Sequence, residues 1–141
     1  MPRLEWDETL ETGDSAVDEQ HQHLVEMFNQ LHDAAVEGRG RDTIDEILRG
    51  LAEYVSVHFA AEERLMLRTG YPPAATSEHL RQHADLTAKT VEMIHKHRAG
   101  ELTTVLPLAI FLQDWLGTHI RKSDRALVNH VRSVTGDAGA L

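Results

Sequence analysis

Apolar residues recur three and four positions apart along four long stretches of this chain, and histidine interrupts all four stripes. That spacing belongs to helices with one core-facing side. The first stripe is Val17, His21, Leu24, Phe28, Leu31 and Ala35. The second is Ile44, Ile47, Leu51, Tyr54, His58, Glu62 and Leu65. The third is His79, His83, Leu86, Thr90 and Met93, and the fourth Val105, Leu108, Leu112, Trp115 and His119. Breakers fall between the stretches, at Gly38-Arg39-Gly40, Gly70-Tyr71-Pro72-Pro73, Ala99-Gly100 and Gly136. The pattern predicts helices over Asp18–Glu37, Asp42–Thr69, Ala75–Ala99 and Thr104–Arg121, with a shorter helical tail over Asp124–Val134. Asp18 and Asp42 are the expected N-caps, because a short carboxylate accepts the free amide protons of a first turn. Pro107 is tolerated only near the start of its helix. Met1–Val17 reads as an irregular arm. Short connections make successive helices antiparallel. The expected fold is therefore all-α: an up-down-up-down antiparallel four-helix bundle with an irregular N-terminal arm and a short C-terminal helix. A length of 141 residues fits one domain over 1–141, with its core at about 15–134.

An unpaired imidazole or carboxylate in a small core costs several kcal/mol in principle. One could be rescued by a local hydrogen bond, but five histidines and Glu62 over four helices call for a common cause. His58 and Glu62 are four residues apart, and so are His79 and His83, which puts each pair on one helix face. His21 and His119 supply the other two helices. Converging imidazoles and carboxylates suit Fe, Mn or Zn and exclude an all-oxygen Ca site. Asp124 is five residues beyond His119, so in a regular helix it points away. It reaches the same centre only if the helix widens or ends between Gly117 and Asp124.

Composition removes other classes of function. There are no cysteines, which excludes disulfides, thiolate chemistry and Cys-based metal sites. Lys and Arg total 14 against 23 Asp and Glu, for a net charge of −9. An acidic chain without a basic stripe argues against nucleic acid and anionic membranes. No apolar run approaches the ~20 residues of a membrane span. The acid-bearing start does not read as a signal peptide, so the cytoplasm is the expected location.

Four segments, in order, carry a resemblance: Asp18-Glu19-Gln20-His21; His58-Phe59-Ala60-Ala61-Glu62-Glu63; His79-Leu80-Arg81-Gln82-His83; and Trp115-Leu116-Gly117-Thr118-His119-Ile120 with Asp124. From Trp6 to about Val131 the chain resembles the hemerythrin family in its bacterial single-domain form. The resemblance implies a non-haem di-iron centre. His79, His83 and His119 would bind one iron, and His21 and His58 the other. Glu62 and Asp124 would bridge them beside a solvent-derived oxo or hydroxo bridge. The second iron would be five-coordinate and would take up O2 reversibly, for delivery, storage or sensing. Leu24, Phe59, Trp115, Leu116 and Ile120 would line the O2 pocket.

Five neutral imidazoles and two carboxylates favour O2 binding over its activation, because fewer anionic ligands stabilise high-valent iron less. No nucleophile stands beside a base, so the expectation is a carrier and no enzyme. The alternatives are a di-iron enzyme acting on peroxide, O2 or nitric oxide, and a stand-alone sensor controlling a partner. A monomer is expected, with no nucleic-acid or membrane partner. His23, His95, His97 and His130 read as surface or bundle-end residues and His32 as a hydrogen-bonded interior one. Met66 reads as core packing and Glu63 as a solvated neighbour, with the support of a ligand from outside as its alternative role.

Overall fold

The computed structural model describes residues 4–100 and 105–135. The beginning of the arm, the helix start expected at Thr104 and the breaker at Gly136 lie outside the described residues. A 3-10 turn at Glu8–Leu10 precedes α1 (Ser15–Val36), α2 (Arg41–Thr69), α3 (Pro73–Arg98) and α4 (Leu106–His119). A π-helical turn at Ile120–Asp124 then leads directly into α5 (Arg125–Thr135). Among the described residues there is no strand, and the architecture is the expected four-helix bundle. Helix α1 packs on α2 and α4, α2 on α3, and α3 on α4, while α5 lies against α2 and the π turn. No described helix is long and apolar enough to cross a membrane.

The helix starts correct the expectation in detail. Helix α1 begins at Ser15, and its N-cap is Asp14, whose Oδ1 accepts from the backbone N–H of Ala16 at 2.9 Å and Val17 at 3.1 Å. Asp18 lies one turn inside. Its Oδ1 instead accepts from Thr12 N and Thr12 Oγ1, both at 2.8 Å, and so closes the loop before the helix. Helix α2 starts one residue before Asp42, with Gly40 as a cap lacking a side chain. Asp42 is left in the first turn, where its negative charge sits favourably at the positive end of the helix dipole. Helix α3 starts two residues early because Pro73, with its fixed φ, fits a first helical turn. Pro107 occupies the first turn of α4. Gly70 ends α2 in the left-handed region (φ 64°), where a side chain would be strained, and Tyr71 N–H closes on Met66 O at 3.0 Å.

The buried stripes form a main apolar cluster that includes Leu24, Phe28, Leu48, Leu51, Phe59, Leu86, Leu112, Leu116 and Ile120. A second cluster, of Leu65, Met66, Leu127 and Val131, joins the end of α2 to α5. Met66 is core packing, as its position one turn after Glu62 suggested. Ala35, Ile47 and Tyr54 reach the edge of the core and are half-buried. The arm is anchored too: Leu10 is fully buried, and Arg125 Nη2 donates to Thr9 O at 2.7 Å and Glu11 O at 2.8 Å.

Candidate metal centre

Between the two apolar clusters all seven of the expected ligand residues converge, each with 3% or less of its surface exposed. His21 comes from α1, His58 and Glu62 from α2, His79 and His83 from α3, and His119 from the last turn of α4. Asp124 closes the π turn. There the backbone N–H of Arg125 bonds to Ile120 O, five residues back instead of four. That one-residue excess returns Asp124 to the face of His119. The widening that Asp124 requires to reach this centre is thus present, immediately after His119.

The two carboxylates divide the site into two lobes. Glu62 Oε1 lies 3.0 Å from His83 Nε2 and 3.4 Å from His79 Nε2. Its Oε2 lies 3.3 Å from His58 Nε2 and 3.7 Å from His21 Nε2. Asp124 Oδ1 lies 3.0 Å from His119 Nε2 and 3.2 Å from His79 Nε2, whereas Oδ2 lies 3.0 Å from His21 Nε2. One oxygen of each carboxylate therefore faces two rings of the His79, His83 and His119 set, and the other faces His21, joined on Glu62 by His58. In both groups, one with His79, His83 and His119 and one with His21 and His58, the donor atoms lie within 4.8 Å of one another.

Several rings are held from outside through Nδ1. Gln20 Oε1 is 2.6 Å from His58 Nδ1, Gln82 Oε1 is 2.7 Å from His119 Nδ1, and Glu63 Oε2 is 3.2 Å from His83 Nδ1. Ser123 Oγ donates to the same Gln82 oxygen at 2.6 Å. An amide or carboxylate oxygen only accepts, so each of these three Nδ1 atoms carries the proton. Their Nε2 lone pairs then point inward at carboxylate oxygens, acceptor against acceptor. His21 Nε2, His83 Nε2, His119 Nε2, Glu62 Oε2 and Asp124 Oδ1 accordingly have no hydrogen-bond partner. A buried arrangement of this kind needs positive charge at its centre. Metal cations bound to Nε2 and shared between the carboxylate oxygens fit that need, and the outer acceptors are the partners that metal-bound imidazoles usually have.

Protons answer the same need when no metal is bound. Burial works against the charged form of His21, but the Asp124 and Glu62 carboxylates outweigh it and push the ring up to about 10. His79 is likewise pushed up to about 9, against its burial, by Asp124 and Glu62. Burial would raise Glu62, yet His58, His21 and His79 hold it well below the ordinary carboxylate range. Asp124 is also depressed: His119 and His21 prevail over burial and over the neighbouring Glu62 charge.

Leu24, Phe59, Leu116 and Ile120 are buried, and Trp115 is half-buried. Phe59 stacks on His83 with ring centroids 3.7 Å apart and planes 3° apart. Trp115 stacks on His119 at 4.4 Å and 16°. Both aromatics thus flank the three-histidine lobe.

Residues outside the expected set refine the reading. Glu63 is no mere solvated neighbour, because it holds His83. His97 is buried, with Nε2 3.4 Å from Arg41 O, so it ties the end of α3 to the start of α2. His23 and His95 are exposed, His130 pairs with Thr69 O at 2.9 Å, and buried His32 has Asp33 at 3.4 Å. Sequence reasoning missed Gln20 and Gln82 altogether. The available signal was adjacency: each precedes a ligand by one residue, and Glu63 follows Glu62 by one. A neighbour along a helix points about 100° away, toward the next helix and the ring it carries.

Residues 12–131 match the family model described as the hemerythrin HHE cation binding domain. A bacteriohemerythrin of Pseudomonas aeruginosa is 36% identical over 94% of this chain and 84% of its own length. One of Stenotrophomonas maltophilia is 34% identical over the same shares. A bacteriohemerythrin of Methylococcus capsulatus is 36% identical over 77% of this chain and 80% of the relative. Among solved structures, a wild-type hemerythrin superposes with a TM-score of 0.80 at 32% identity, covering 89% of this chain and 95% of the other. A leucine-to-alanine mutant of hemerythrin superposes at 0.84 and 30% identity, covering 93% and 98%.

Proposed function

This chain belongs to the hemerythrin family, and from that premise we propose that it holds two iron ions and uses them to bind O2 reversibly. His79, His83 and His119 hold one ion, and His21 and His58 the other. Glu62 and Asp124 each give one oxygen to either side. The observation that carries this reading is the division of the carboxylate oxygens between two sets of Nε2 atoms. A mononuclear site has no use for a second oxygen on each carboxylate facing the imidazoles of a second set. The bound irons supply the reversible redox chemistry that O2 uptake needs.

The protein's own groups set the conditions for that chemistry. Gln20, Gln82 and Glu63 orient the rings before any metal arrives. Leu24, Phe59, Trp115, Leu116 and Ile120 form an apolar surround that keeps bulk water from the centre. Among the described residues, the two groups of side chains able to share a metal there consist of these seven alone. With all seven engaged as ligands, none of them is left as a free acid for bound O2, which favours its release unchanged over its reduction. A carrier or store is the function that fits. Metal analysis of protein produced with ample iron tests the reading: two irons per chain are expected, and one metal per chain, or zinc despite available iron, overturns it.

A further inference from the structure

The outer partners of the ligand rings are not chemically alike. His58 and His119 each donate Nδ1–H to a neutral amide oxygen, of Gln20 and Gln82. His83 alone among these three donates to a carboxylate, Glu63 Oε2 at 3.2 Å. The Glu63 side chain is 43% exposed, at the rim of a groove of about 640 Å3 between α2 and α3. Water therefore reaches its charge, although the ring it holds is buried. The other constraint on that ring is Phe59, which fixes its plane. With the plane set by Phe59, Glu63 sets the rotation of the ring within it. Together they aim Nε2 at Glu62 Oε1, 3.0 Å away.

A hydrogen bond from Nδ1–H to an anion draws the proton outward and raises electron density at Nε2 more than an amide acceptor does. We propose that Glu63 is a positioning residue that acts through His83, making it the strongest donor of the three-histidine set and biasing the metal held there toward its higher oxidation state. This rests on the reading of the site as a di-iron centre. It makes the two irons inequivalent through an outer residue as well as through ligand number. The carboxylate lowers the reduction potential of the iron in the three-histidine lobe, and the amides beside His58 and His119 do not.

The test compares E63Q with the unaltered protein and with the exposed surface control E46Q, all iron-loaded. Iron is counted, and the potential is read by mediator-equilibrated spectroelectrochemistry. Glutamine keeps an acceptor oxygen for His83 but removes the charge. E63Q should retain two irons, and its ferric-to-ferrous ratio at a fixed ambient potential should fall about tenfold, or ~59 mV for a one-electron step. Q20E provides the opposite arm, because placing a carboxylate on His58 should lower the potential. An E63Q protein with two irons and the potential of E46Q overturns the proposal. If E63Q fails to hold iron, Q20E decides, and an unchanged potential there overturns it equally. Absence of iron from the unaltered protein refutes the di-iron reading instead, and the iron count separates that failure from the others.

Discussion

Asp124 Oδ1 lies 3.0 Å from His119 Nε2, although five residues separate them along a helix whose regular turn would send them apart. The π turn at Ile120–Asp124 is what joins them. Its cost in backbone hydrogen bonding is accepted where a functional side chain must be re-aimed. The arm reinforces it, since Arg121 Nε donates to Thr9 Oγ1 at 2.9 Å and Arg125 holds carbonyls of the same segment. The bridge between the two lobes therefore depends on a local irregularity secured from outside the bundle.

Replacing Asp124 removes one of the two shared carboxylates while leaving all five imidazoles. D124A should keep its helical content by circular dichroism but hold clearly fewer than two irons per chain. A D124A protein that keeps two irons would show that Asp124 does not bridge.

Metal removal should lower the melting temperature. Seven side chains from four helices and the π turn converge with acceptors facing acceptors, and metal binds that arrangement only in the folded chain. Linkage gives a stabilisation of about 4 kcal/mol at free metal a thousandfold above Kd. Differential scanning calorimetry of iron-loaded and chelator-stripped protein at neutral pH measures this, and equal transitions would contradict it.

The metal-free protein should show a pH dependence set by its buried ionic cluster. His21 and His79 are raised from an ordinary 6.5 to about 10 and about 9. The stability they contribute is complete below pH 6.5 and is lost as pH rises through 9 to 10. Glu62 and Asp124 are depressed from ordinary values of 4.5 and 3.8. Their contribution is complete above pH 4.5 and is lost as pH falls toward their folded values. The melting temperature should therefore be highest between about pH 4.5 and 6.5 and decline on both sides. The iron-loaded protein should lack the alkaline decline, because its imidazoles are already deprotonated at Nε2. Thermal melts of the apo protein that stay flat from pH 6.5 to 10 would refute the assignment.

The apolar surround should govern how long the oxygenated form survives. Leu116 is buried at 2% exposure, one turn before Ile120 in the wall of the site. L116A should admit water and speed autoxidation several-fold without changing iron content, since no ligand is lost. Its fold should survive with a loss of about 2–4 kcal/mol, as for other buried leucine truncations. Decay of the oxygenated band, followed beside exposed H23A as control, measures the effect. Equal decay at equal iron content would show that Leu116 does not protect bound O2.

The sequence made the bundle legible because its polar residues broke an otherwise regular stripe. His58 and Glu62, or His79 and His83, declare a shared face by spacing alone. The helix starts were less legible. Asp14 and Asp18 are both plausible caps by residue type, and only the tertiary contact of Asp18 with Thr12 distinguishes their roles. The place of Asp124 needed a family resemblance, because a π turn leaves no mark in spacing until its purpose is known. Gln20 and Gln82 escaped because they face neighbouring helices, and a one-dimensional stripe records only what faces its own core.

The central claim is reversible O2 binding at this cluster, and its most direct test is one optical cycle on fully reduced, iron-loaded protein. Admitting O2 should produce an oxygenated absorption band, and evacuation should return the reduced spectrum with iron retained over repeated cycles. Rapid, irreversible conversion to the diferric spectrum, with O2 consumed and not recovered under vacuum, would contradict it.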